Sequence, residues 1–288
     1  LLAQASYVSD PTFVAEWRED DYRDRRAFET GARLESQRRQ EAFSLEGSYR
    51  IEDFVSNGWL LASPGYTVDR MPEVVYRRVG DGLAGGGLTS HFEARYGRVR
   101  LRFVERTPAE LGIRGEGFGL AEDDLFSRLA FEAGLESEWV HRADLRQELS
   151  TPFDVGAVRV APFVVGRVTA WDDDFSRLSP QQEDTVRLWG GVGVRASTRV
   201  QRVFDDVQSL LLDLDRLRWV VEPSVTAMYA DAGIDQTELP TFDPSVESLA
   251  TGAMVEVGLR NVLQTYRGGP GRARSVDVLT LDEPRRRG

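Results

Sequence analysis

Residues 186–200 read VRLWGGVGVRASTRV, and every second position is uncharged. Val186, Leu188, Gly190, Val192, Val194, Ala196, Thr198 and Val200 form one set; Arg187, Trp189, Gly191, Gly193, Arg195, Ser197 and Arg199 form the other. Successive side chains of a strand point to opposite faces of the pleat, so this period of two predicts β-structure. At roughly 3.3 Å per residue the run spans about 50 Å. Ordinary strands have about 5–6 residues, and a strand that crosses a bilayer needs about 9–11, tilted.

The same alternation recurs on both sides of this run. It is visible in Phe28–Gln37, Phe43–Ile51, Met71–Val79, His91–Phe103, Leu129–His141, Val158–Ala170, Trp219–Tyr229, Leu249–Leu263 and Arg274–Leu281. Roughly ten long strands follow from the pattern. In His91–Phe103 the apolar phase changes around Gly97, which predicts a β-bulge there. Val207, Leu210, Leu211, Leu214 and Leu217 have helical spacing, which predicts a short amphipathic helix over Asp205–Leu217. Polar, turn-rich stretches of unequal length separate the strands: Trp17–Arg26, Asn57–Arg70, Thr107–Asp124, Trp171–Asp184, Asp231–Ser245 and Arg267–Arg272. Tight turns at one end and long loops at the other are the pattern of an up-and-down barrel.

Composition narrows the classes. The 288 residues carry 36 Lys+Arg and 47 Asp+Glu, a formal charge of −11, which argues against nucleic acid as a partner. No window approaches the roughly 18 consecutive apolar residues of a transmembrane helix; a barrel strand leaves a much weaker trace. There is no cysteine, so disulfides and thiolate metal sites are excluded. The chain opens LLAQASYVSDP and stops at DEPRRRG, and both ends read as cuts in a longer protein, so a missing export signal carries no weight. Residues 1–288 are expected to be part of one β-domain.

No catalytic constellation emerges. His91 and His141 lack the spacing of a zinc site or a serine triad. Asp172, Asp173 and Asp174 lack the register of a calcium loop. Gly85, Gly86 and Gly87 lack the lysine and the following helix of a phosphate loop. No enzyme, metal or cofactor is expected.

Alternation alone fits two architectures. In a soluble sandwich the uncharged face packs inward; in a membrane barrel it meets lipid and the polar face lines a lumen. Three features favour the barrel. The strands are long for a sandwich. The uncharged faces are rich in Gly, Ala, Thr and Val, around which lipid can fill gaps that a protein core must close-pack. Trp219 and Tyr229 sit at opposite ends of one uncharged face, as interface aromatics of a girdle do. The expected fold is an all-β, antiparallel transmembrane β-barrel segment with long meandering strands. A generic outer-membrane porin or receptor barrel, and a soluble β-sandwich binding module, are the alternatives.

Five words, in order, resemble the lipopolysaccharide-assembly outer-membrane proteins (the LptD/OstA family): YVSDPTFVAEWREDD at Tyr7–Asp21, RMPEV at Arg70–Val74, DLRQELSTPFDVGAVRVAP within Arg142–Pro162, LRWVVEPSV at Leu217–Val225 and GLRNVLQ at Gly258–Gln264. Trp219 departs from the histidine usual there. The resemblance implies a very large outer-membrane barrel that inserts lipopolysaccharide into the outer leaflet. Its implied partners are lipopolysaccharide, a plug lipoprotein in the lumen, periplasmic lipopolysaccharide-bridge proteins and outer-membrane lipids. It implies that the N-terminal periplasmic domain and the closing strands, with the lateral gate, lie outside these residues. With that direction, Glu136, Arg187, Arg195, Arg199, Glu222 and Glu256 are expected to face the lumen. Val192, Val194, Val225, Val255 and Val257 are expected to face lipid.

Overall fold

The computed structural model describes residues 1–10, 13–23, 29–51, 66–103, 105–179, 182–209, 211, 214–267 and 275–286. The alternating segments form one antiparallel sheet of thirteen strands: β1 (Leu2–Gln4), β2 (Thr30–Arg38), β3 (Glu41–Tyr49), β4 (Tyr66–Leu83), β5 (Leu88–Phe103), β6 (Trp139–Ser150), β7 (Phe153–Val155), β8 (Val158–Trp171), β9 (Val186–Thr198), β10 (Val200–Ser209), β11 (Leu214–Ala232), β12 (Gly252–Arg267) and β13 (Ser275–Arg286). Phe28, the expected start of the first strand, residues 57–65 of the expected turn-rich stretch and Leu210 lie outside the described residues.

The topology is a nearest-neighbour meander. β7 prolongs β6, because both pair with β8 in one register: Ser150 faces Phe163 and Phe153 faces Val160. β10 prolongs β9 in the same way along β11, where Ser197 faces Ser224 and Val200 faces Val221. Arg199 therefore interrupts the strand without shifting its register. Among the described residues no ladder joins β1 to β13, so the sheet is open.

The connections sort by length onto two ends. Short connections join β2 to β3, β4 to β5, β7 to β8 and β10 to β11 at one end; longer ones join β1 to β2, β3 to β4, β5 to β6, β8 to β9 and β11 to β12 at the other. Gly156 takes φ +61°, the left-handed conformation favoured in a tight hairpin turn.

Three local expectations are corrected. Leu129–His141 is not one strand: Ser127–Glu132 is a helical turn and β6 begins at Trp139. Gly134, at φ +82°, lets the Gly134 and Leu135 N–H groups reach back to the Phe131 and Ala130 carbonyls, a local closure that outweighs the alternation. Asp205–Leu217 is not a helix: its leucines straddle a hairpin, with Phe204 facing Leu217 and Ser209 facing Leu214. The bulge near Gly97 lies on β4, between Arg70 and Glu73, whereas β5 pairs with β6 without a shift from Thr89 to Arg100. Gly97 serves that bulge, since a Cβ there would lie 2.8 Å from the Pro72 carbonyl oxygen and 2.9 Å from Glu73 Cα.

The apparent phase change in β5 has another cause. One face carries Arg95, Gly97, Val99, Leu101 and Phe103 throughout, all buried. Its character changes from charged to apolar where Val99, Leu101, Phe103, Val140 and Trp171 pack against Phe175, Leu178, Ile234, Leu239 and Phe242 from two long connections. This cluster anchors the connections to one face of the sheet, called the inner face below.

Candidate functional site: a charged wall under an infolded loop

The two faces of the sheet have inverted polarity relative to a water-soluble sheet. The outer face exposes Tyr96, Leu145, Val164, Leu188 and Val168, with Val192 59% and Tyr229 57% exposed. The inner face buries Arg95, Asp144, Glu148 and Arg167, with Arg142 1% and Arg187 2% exposed.

Pairing places the expected residues on these faces. Arg195 faces Thr226, which faces Glu256, and Arg187 and Glu222 share that inner row parity. Val192, Val194, Val225, Val255 and Val257, with Trp219 and Tyr229, occupy the opposite, exposed parity. Glu136 is off the sheet, in the connection before β6, where its N–H donates to the Arg177 carbonyl. Arg199, at the strand break, donates to Glu222 at 2.5 Å, and Arg260 approaches the same carboxylate at 3.4 Å. Arg195 donates to Glu148 at 2.6 Å and stacks 3.8 Å over the Phe163 ring.

The densest chemistry was not legible in the sequence. Residues 233–251, between β11 and β12, fold back over the inner face. Arg142 donates from Nη1 to Glu247 at 2.7 Å and from Nη2 to Glu73 at 2.8 Å. Arg95 bridges Asp243 and Glu93. Arg167 grips Asp144 with two bonds, at 2.8 and 2.7 Å, and donates to the Ser245 carbonyl at 2.5 Å. Arg187 donates to the carbonyls of Ile234, Val246, Glu247 and Leu249 at 2.9–3.2 Å. Arg70 donates to the Phe242 carbonyl at 3.0 Å, and Tyr66 to that of Thr241 at 3.1 Å. Buried charges are tolerable only when paired or hydrogen-bonded in this way. The signal missed in the sequence is a set of apolar anchors inside a polar loop: Ile234, Leu239, Phe242 and Val246 are all buried.

The two carboxylates of the loop shift in opposite directions. Burial works to raise the Asp243 carboxyl, but the Ser245 hydrogen bonds and the Arg95 guanidinium outweigh it and hold it at about 2. Burial pushes the Glu247 carboxyl above its usual range, against the Arg142 guanidinium and the Asp243 N–H, which lies 2.7 Å from it. Nearer the tight-turn end, Arg77, His91, Glu93, Arg146, Glu148 and Arg195 line a cleft of about 260 Å³. His91 lines this cleft, whereas His141 faces outward and meets the Tyr96 hydroxyl at 3.0 Å. Asp172 accepts from the His141 N–H at 3.0 Å. The arrangement offers fixed charge to a polar ligand or ion.

No family model and no curated protein matches the chain. Two ion pairs join segments that lie far apart in sequence. Glu73 of RMPEV is bonded by Arg142, and Glu222 of LRWVVEPSV is approached by Arg260 of GLRNVLQ.

Proposed function

We propose that these residues form part of an outer-membrane β-barrel that inserts lipopolysaccharide into the outer leaflet. The observation that carries the membrane part is the inverted polarity: apolar side chains exposed on one face, paired charges buried on the other. Water would reward the reverse arrangement, whereas lipid favours an apolar exterior and a polar interior. Tight turns at one end and long connections at the other support the same reading. In lipid both edges of the open sheet must pair with further strands, because unsatisfied backbone groups there cost several kcal/mol each. The lipopolysaccharide part rests on the five ordered words. Lipopolysaccharide, a lumenal plug lipoprotein and periplasmic bridge proteins are then its partners, and no bond is made or broken in the transfer.

Depletion of the full-length protein tests the reading. Loss of newly made lipopolysaccharide from the cell surface, with other outer-membrane barrels still assembled, is the expected result. A second reading, a porin-type barrel, is favoured by the infolded loop, since loops fill the lumen of some barrels. It requires surface lipopolysaccharide to stay normal on depletion while small-solute permeability falls.

A further inference from the structure

Six guanidinium groups converge on the inner wall, from Arg70, Arg77, Arg95, Arg142, Arg167 and Arg187. The sheet itself sets three carboxylates among them, Glu73, Glu93 and Asp144, which leaves three positive charges over. The loop supplies two more carboxylates, Asp243 and Glu247, and a row of main-chain carbonyls. Arg187 and Arg70 have no carboxylate within ion-pair distance among the described residues; both are satisfied by loop carbonyls. In a chain of net charge −11 this is a concentrated positive surface, covered by a peptide that presents acceptors to it.

We propose that the wall is an anion-binding site for a phosphorylated headgroup, with residues 241–249 as its built-in competitor. Arginine forks match phosphate oxygens in the same two-pronged way that Arg142 and Arg167 now grip carboxylates. A ligand with two phosphates replaces both loop carboxylates and neutralises the surplus the carbonyls leave. Release of the segment breaks the Tyr66 and Arg70 bonds at one side and the Arg187 bonds at the other, and withdraws Phe242 from the apolar cluster. The proposal rests on the membrane reading only in placing the wall in a lumen.

Residues 1–288 contain no cysteine, so Val246→Cys, at a loop position 1% exposed, adds one thiol to them, and labelling of the unsubstituted full-length protein gives the background to subtract. The full-length protein is reconstituted in phospholipid vesicles, its retention through a urea wash is scored first, and the rate of maleimide labelling is then measured. A bis-phosphorylated glycolipid is expected to raise that rate about tenfold, the factor for roughly 1.4 kcal/mol of lost docking, and its dephosphorylated form to leave it unchanged. An equal response to inorganic pyrophosphate supports the site and assigns it to free anions; a response to the glycolipid alone assigns it to a lipid headgroup. Asp243→Asn with Glu247→Gln is expected to speed labelling without ligand. In a second measurement, independent of the thiol, the same pair of changes is expected to tighten pyrophosphate binding. Labelling that ignores both phosphorylated compounds, with pyrophosphate binding no tighter in the double variant, overturns the proposal. Loss from vesicles in the urea wash counts against the membrane reading alone.

Discussion

At the residue scale, parity decides consequence. Val192 and Val255 sit on the exposed apolar face, whereas Arg195 sits on the inner one with Glu148. Val192→Arg or Val255→Arg is expected to cost about 2–4 kcal/mol at a bilayer midplane and to block assembly. Arg195→Ala is expected to stay within about 0.5 kcal/mol, as surface changes do, because Arg146 still pairs with Glu148 at 2.5 Å. Protease-resistant protein in the membrane fraction reads both out, and equal tolerance at the two kinds of site would sink the face assignment. Arg142→Ala is a harsher change. It strands Glu73 and Glu247, and breaking such a buried pair costs about 3–5 kcal/mol, measurable as a lowered urea midpoint in detergent. The parity of Val192 could be read from its neighbours in sequence. The partners of Arg142 could not, because they stand 69 and 105 residues away and only the fold unites them.

At the scale of the element, the infolded loop carries an acid sensitivity whose sign is fixed. The Asp243 carboxyl titrates at about 2 in the fold against an ordinary 3.8, so its contribution is present above about pH 4 and is lost as pH falls toward 2. Glu247 is shifted the other way, so its protonation on acidification favours the fold and does not add to that loss. Proteolysis of the loop is therefore expected not to rise from neutral pH to about 4, where Glu247 protonation favours the fold, and to rise below it. Asp243→Asn should remove that rise. The elements misread in sequence share a physical reason. Leu129 and Phe131 alternate, but a left-handed Gly134 closes the turn; Leu214 and Leu217 are helically spaced from Val207 across a hairpin, where sequence distance no longer tracks direction. The long alternating strands were legible because one constraint, two unlike faces, governs every residue in them.

At the scale of the whole molecule, the strands are unequal. β8 begins at Val158, opposite Thr198, whereas β10 continues for ten residues past the Arg199 break. The β10–β11 hairpin thus extends beyond the end of β8, on the tight-turn side. In bacterial barrels that side faces the periplasm. An epitope inserted after Leu211, which is 93% exposed at the tip, is expected to stay hidden on intact cells and to become accessible once the outer membrane is permeabilised. Surface detection on intact cells would reverse the orientation.

The alternation that builds the two faces also acts before any face exists. A chain bound for an outer membrane must first travel unfolded through another bilayer. There a continuous apolar stretch of about 18 residues would lodge as a helix. Here Arg187 and Arg195 break up the valines of β9, Arg199 follows directly, Glu222 does the same in β11, and Glu256 and Arg260 in β12. The apolar surface is therefore assembled only by folding, and the transit that the proposed location requires would meet it divided into pieces too short to be retained.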